Sequence, residues 1–104
     1  MGKLGNFGYG GEQRSYSFSH FAAGYIAVGT AAGQGPNIPC EMVFLGADAD
    51  NDGQVYIGGS DVSAVTGYQL DAGDATGWIS IQNLNLIWVR GSSASQRLSY
   101  MLVY

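Results

Sequence analysis

Apolar and polar residues alternate with a period of two along most of the chain, and this alternation predicts β-strands. The C-terminal stretch RLSYMLVY is the clearest case. One face is predicted to carry Leu98, Tyr100, Leu102 and Tyr104, and the other Met101 and Val103. Similar runs predict strands over residues 15–19, 24–30, 40–47, 54–57, 77–81, 86–90 and 97–104. The run at 40–47 is apolar on both faces, which is typical of a strand buried inside a sandwich core.

Helical periodicity is absent, and residues 60–65 could form a helical turn at most. Glycine, aspartate and serine separate the apolar runs, and 17 of the 104 residues are glycine. Seven or eight short strands joined by such turns predict an all-β fold. We expect a single antiparallel β-sandwich or jelly-roll-like domain over residues 15–104.

The first 14 residues have a different character. In MGKLGNFGYGG, five glycines alternate with larger side chains, so the segment loses too much backbone entropy to fold alone. Two interpretations remain open: a glycine-rich extended N-terminal arm that docks on a neighbouring subunit, or a disordered terminus. In the first, apolar and aromatic side chains anchor the arm, namely Leu4, Phe7, Tyr9, Tyr16 and Phe18.

Charge is sparse, since charged residues make up 12% of the chain against a usual share of about 25%. A surface so poor in charge favours an oligomer or an assembly subunit. The net charge is −4, and the four basic residues Lys3, Arg14, Arg90 and Arg97 are scattered, which argues against nucleic-acid binding. No apolar run resembles a signal peptide or a membrane span, so we expect synthesis in a cytoplasm and no membrane partner.

Residues suited to catalysis are few. The chain has one histidine, His20, and one cysteine, Cys40, which are too few for a zinc site or a supported nucleophile–base pair. We therefore predict no enzyme activity, no catalytic residues and no cofactor. His20 is expected at a strand end or an interface, and Cys40 as a small buried side chain in a strand. Glu41 is expected to pair with Arg90 or Arg97.

The stretch DADNDG at 48–53 places Asp48, Asp50 and Asp52 at alternate positions before a glycine, as in a calcium loop. The twelfth position is Gly59, which offers no ligand, and apolar strands rather than helices flank the stretch. The sequence therefore favours a turn with left-handed Asn, Asp or Gly residues that joins strands 40–47 and 54–57 as a hairpin. Weak calcium binding at these three aspartates is the alternative.

Two tryptophans, Trp78 and Trp88, lie among isoleucine and valine residues. This setting predicts packing in the core or against another subunit. A stacking platform for sugars, shared with Tyr9, Tyr56 and Tyr68, is the alternative.

The stretch VYIGGSDVSAVTGYQLDAG at 55–73 resembles a pattern of small tailed-phage virion proteins. In that pattern a strand ends in V-Y-[IV]-G and is followed by G-S-D-V-[ST]-A, a T-G-x-x-L turn and an A-G step. The flanks look similar as well. An apolar strand with Cys40 leads into the turn at 50–53, and strands at 84–89 and 98–104 follow. The resemblance covers about the last two-thirds of the chain.

This resemblance implies a small antiparallel β-domain without catalysis. The expected function is that of a capsid decoration (cement) protein that bridges shell subunits. A tail, neck or fibre-associated subunit and a glycan-binding module for host attachment are the alternatives. The implied partners are the major capsid protein or other virion subunits and further copies of the chain, a trimer among the possibilities, and the implied location is the virion.

Overall fold

The computed structural model describes residues 20–104. The predicted arm, its five anchors and the predicted strand at 15–19 lie outside the described residues. Residues 20–104 form eight strands and one short 3₁₀ helix, Leu84–Leu86, which confirms the all-β class. The strands are β1 (Phe21–Val28), β2 (Gly33–Gln34), β3 (Met42–Ala47), β4 (Val55–Gly58), β5 (Tyr68–Leu70), β6 (Ala75–Ser80), β7 (Trp88–Gly91) and β8 (Gln96–Val103). No helix in this part of the chain is long and apolar enough to cross a membrane.

The described strands form two antiparallel sheets of four. The first sheet has the order β1-β8-β3-β6 and the second sheet has the order β2-β7-β4-β5. The chain passes from one sheet to the other at every connection except that between β4 and β5. As a result the pairs β1–β8, β2–β7, β3–β6 and β4–β5 are nested along the sequence and alternate between the sheets.

The predicted hairpin between 40–47 and 54–57 is wrong. Strand β3 pairs with β6 and β8, whereas β4 pairs with β5 and β7, so residues 48–54 cross between the sheets. The physical cause is a pair of hydrogen bonds that joins this stretch to β8. The side chain of Asn51 accepts a hydrogen bond from the Arg97 amide and donates one to the Arg97 carbonyl, both at 2.9 Å.

One apolar core joins the two sheets. Strands of both sheets supply side chains that are almost fully enclosed, among them Leu45, Val55, Leu98 and Leu102. Cys40 is buried as predicted, although it lies just before β3 rather than in it, and burial raises the pKa of its thiol. Its Sγ atom donates to the Ile81 carbonyl at 3.5 Å.

The expectation that 40–47 is enclosed on both faces is half correct. Val43, Leu45 and Ala47 point into the core and are buried. The alternate residues Met42 and Phe44 lie on the opposite side of the first sheet and stay partly exposed. The apolar character of that second side therefore needs an explanation other than the core.

Candidate interaction face

The side of the first sheet that points away from the core carries apolar side chains on all four strands, with Ser80, Arg97 and Ser99 among them. The strand register aligns Phe21 with Val103 and Met42 in one row, and Met101 with Phe44 and Trp78 in the next. We call this surface the outer face. It comprises Phe21, Tyr25, Met42, Phe44, Trp78, Met101 and Val103.

Three aromatic side chains make the outer face large. Phe21 is 62% exposed, Tyr25 57% and Trp78 46%, and the Trp78 ring stands edge-on to Phe44 at 5.6 Å. Since a large aromatic residue carries about 150–250 Å² of surface, these three leave roughly 300 Å² of mainly apolar surface in water. The largest apolar patch of a typical monomer covers about 300–600 Å² and is often functional, so the outer face is a candidate interaction site.

The second sheet, by contrast, has its own cover. Tyr56 points away from the core, yet it is only 8% exposed because the connection between β4 and β5 lies over it. Val62, 3% exposed, packs there, and a Cβ on Gly67 would lie 2.7 Å from the Tyr56 Cβ. Hydrogen bonds between Ser63 and Thr66 hold this connection in shape. Among the described residues nothing comparable covers the outer face.

The rim of the outer face carries the charged and polar groups. The Arg97 guanidinium carbon lies 4.1 Å from the centroid of the Tyr25 ring, and Nε is 3.5 Å from Asp48 Oδ2. Arg97 therefore pairs with Asp48, and within residues 20–104 Glu41 forms no ion pair with Arg97 or Arg90, the two partners expected from the sequence. His20 lies at a strand end as predicted, with its ring stacked on Tyr104 at 5.0 Å.

The three aspartates of the 48–53 stretch have separate surroundings. Asp48 accepts from the Asp50 amide at 2.9 Å and pairs with Arg97. Asp52 Oδ1 accepts from Gln96 Nε2 at 2.6 Å and from Ser93 Oγ at 3.2 Å. Within residues 20–104 no group of three or more His, Cys, Asp or Glu residues is arranged to hold a metal ion.

The backbone of this stretch also differs from the expectation. Left-handed φ angles occur in the described chain at Gly73, Gly77 and Ser95, not at Asn51, Asp52 or Gly53. Position 53 favours glycine for another reason, which is that a side chain has no room there. A Cβ there would lie 2.5 Å from Ser92 Oγ and 2.8 Å from Ser93 Oγ.

Gln96 links this stretch to the core, and the link makes stability sensitive to acid. It is 2% exposed, and its amide oxygen accepts from the Gly53 amide at 3.0 Å while its amide nitrogen donates to Asp52. The hydrogen bonds from Gln96 and then Ser93 lower the pKa of Asp52 from its ordinary value of 3.8. A carboxyl group with a lowered pKa in the folded state stabilises the fold above its ordinary pKa, and this stabilisation is lost as the pH falls through the lowered value.

We expect the Asp52→Asn variant to lose less thermal stability than the natural chain between neutral pH and about pH 3, because asparagine keeps the acceptor oxygen but does not titrate. Melting temperatures from circular dichroism at both pH values measure this. Asp50→Asn is the control, since the Asp50 carboxylate has no hydrogen-bond or ion-pair partner within residues 20–104. Equal acid sensitivity in the natural chain and the Asp52 variant would contradict the assignment.

Of the aromatic residues considered for a sugar platform, Tyr9 lies outside the described residues, and the other four do not form one exposed platform. Trp78 lies on the outer face of the first sheet, and Trp88 lies on the outward side of the second. Tyr56 is buried beneath its loop. Tyr68 lines an apolar cleft of about 390 Å³ between the sheet edges. The other side chains of this cleft are mainly isoleucines: Ile57, Ile79, Ile81 and Ile87.

The outer face is the feature that the sequence indicated least directly. Its signal is the two-sided apolar pattern of strands β3 and β8, which is equally typical of burial on both sides. Searches against protein-family models, curated proteins and solved structures find no match to this chain.

Proposed function

We propose that the chain is a structural virion protein of a tailed bacteriophage, and that it acts as a capsid decoration protein. The outer face is the observation that carries this proposal. In this role the outer face lies against the major capsid protein or another virion subunit. The protein then links neighbouring shell subunits by burying its aromatic rings. Neither catalysis nor a cofactor has a part in this role.

The strand arrangement supports the proposal. The four nested pairs correspond to one long antiparallel hairpin that has been rolled up, so that alternate pairs fall in opposite sheets. We infer that this is a jelly roll, an eight-stranded double-sheet architecture that is common in viral capsid domains. Lectin domains use it as well, so the architecture supports a structural role only together with the outer face.

The energetics favour attachment in many copies. Burying roughly 300 Å² of apolar surface contributes about 7 kcal/mol at about 25 cal/mol per Å². Association costs about 4–15 kcal/mol in lost motion, so one such face holds a single copy weakly. Several linked copies bind far more tightly because each further contact becomes intramolecular. A repeated, oligomeric decoration of a lattice meets this requirement.

Copy number distinguishes the shell from the tail and the neck. Quantitative mass spectrometry of purified virions, from a phage whose genome encodes this chain, gives its ratio to the major capsid protein. A ratio of the same order as the capsid subunit supports decoration of the shell. A ratio that corresponds to a single ring moves the chain to a neck or tail position, and absence from the particle contradicts a virion role. The matching test of the outer face is whether Trp78 becomes protected on the particle.

A further inference from the structure

Strand β1 forms an edge of the first sheet within residues 20–104, and this edge differs from the other sheet edges of that range. The second sheet ends in β2 and β5, which are two and three residues long. Strand β6, at the far edge of the first sheet, has a register shift against β3 and a left-handed glycine, Gly77. Short and irregular edges of this kind prevent pairing with other chains.

Strand β1 has none of these protections. It runs for eight residues, FAAGYIAV, without a charge, a proline or a register shift against β8. Within residues 20–104 it pairs with β8 alone. A long, regular and uncharged edge presents a row of unpaired backbone groups to a further strand.

The hydrogen-bond pattern shows which groups these are. His20 and Tyr104 exchange two backbone hydrogen bonds, at 2.8 and 3.0 Å. Hydrogen-bonded pairs alternate along an antiparallel ladder, so the even-numbered residues of β1 bond to β8. The amides and carbonyls of the odd-numbered residues therefore point away from β8, to the edge of the sheet that residues 20–104 form. These residues are Phe21, Ala23, Tyr25 and Ala27, and their side chains lie on the outer side of the sheet.

We infer that the partner of this edge is a second copy of the chain, bound through antiparallel pairing of β1 with β1 about a two-fold axis at Gly24. In this register Phe21 lies opposite the partner's Ala27, and Ala23 lies opposite the partner's Tyr25. Each large ring thus faces a small side chain, and all four outward residues pair. An isologous contact requires such self-complementarity.

The pairing supplies a typical number of hydrogen bonds for a protein–protein interface. Four hydrogen-bonded residue pairs supply about eight main-chain hydrogen bonds. This number is within the roughly 5–15 direct hydrogen bonds of a typical protein–protein interface. The two outer faces become one surface on an eight-stranded sheet, so a dimer presents both to a common target. The dimer itself does not depend on the virion proposal, because it is a property of the purified chain.

Sedimentation velocity of the full-length chain over a range of concentrations tests the pairing, since the monomer is 10.9 kDa. Ala23→Pro removes one edge amide from each copy and leaves the bonds to β8 in place. Two lost bonds, each leaving a partner unsatisfied, predict a rise in the dimer dissociation constant of about 100-fold. Ala23→Lys, which places a charge beside the partner's Tyr25, is expected to weaken the dimer as well.

Ser99→Lys is the matched control, because Ser99 lies next to Tyr25 on the outer side of the sheet but on the inner strand β8. We expect this variant to dimerise like the natural chain. Near-ultraviolet circular dichroism checks that each variant is folded. If the Ala23→Pro variant is unfolded, Ala23→Lys alone serves as the test.

Three results overturn the inference. The first is a natural chain that stays monomeric at its highest soluble concentration. This result counts against the inference even if a variant without residues 1–19 dimerises. The second is a dimer that both Ala23 variants leave unchanged. The third is equal weakening by Ser99→Lys and Ala23→Lys, which assigns the contact to the sheet faces rather than to the edge.

Discussion

Replacing Leu45 with alanine is expected to lower the free energy of unfolding by about 2–5 kcal/mol. Leu45 is 0% exposed and lies on β3, one of the two central strands of the first sheet, where it faces the shared core. The variant loses the transfer free energy of the removed carbons and leaves a cavity that the neighbouring strands cannot fully close. A single domain has only about 5–15 kcal/mol of stability in total, so much of it depends on this one side chain.

Chemical denaturation measures the effect, with an unchanged slope against denaturant as the sign of two-state unfolding. Leu86→Ala is the matched control, since Leu86 is 60% exposed on the 3₁₀ helix. Its cost is expected to stay within about 0.5 kcal/mol. Similar losses in the two variants would mean that Leu45 does not lie between the sheets.

Replacing Gly35 with alanine is expected to cost about 3 kcal/mol, near the upper end for an inserted methyl group. A Cβ at this position would lie 2.5 Å from the Leu84 carbonyl oxygen and 3.1 Å from that of Ile87. Both neighbours are backbone atoms, so no side chain can rotate away. The Gly35 amide also donates to the Ile87 carbonyl at 2.8 Å, and relieving the clash strains that bond.

Gly33→Ala is the control for this prediction. It lies two residues earlier, and a Cβ there meets nothing within 4 Å. Alanine in open space restricts the unfolded chain, so a neutral or slightly stabilising effect of up to about 1 kcal/mol is expected. Thermal unfolding of both variants separates the two sites. A Gly35 variant as stable as the Gly33 variant would show that the segment before β3 does not pack against residues 84–87.

Period-two alternation predicted the long strands well because the pattern is local. Leu98, Tyr100 and Leu102 lie on one face of β8 as predicted, and that face packs against the core. Tyr104, predicted on the same face, lies just beyond β8 and is 42% exposed. Strands β2 and β5 are too short to alternate visibly, so neither was predicted. Some strand bounds near turns differ from the prediction. The strand predicted at 86–90 is Trp88–Gly91, because the 3₁₀ helix extends to Leu86.

Strand pairing could not be predicted in the same way, because it depends on contacts that are distant in sequence. The DADNDG stretch has the composition of a hairpin turn, yet Asn51 bonds to Arg97, 46 residues away. Likewise the sequence marks Trp78 as apolar but not as 46% exposed. Only the register that aligns Trp78 with Phe44 and Met101 reveals a continuous outer face.

In the proposed role, the outer face of the first sheet is buried against another virion subunit. Hydroxyl-radical labelling of Trp78, in purified virions and in the isolated full-length chain, tests it most directly. Trp78 is the reporter because β6 lies at the opposite edge from β1, away from any dimer contact. Tyr68, 63% exposed and outside the outer face, is the internal control. We expect labelling of Trp78 to fall sharply on the particle while that of Tyr68 changes little. Equal labelling of Trp78 in the two samples would mean that the outer face is not buried there.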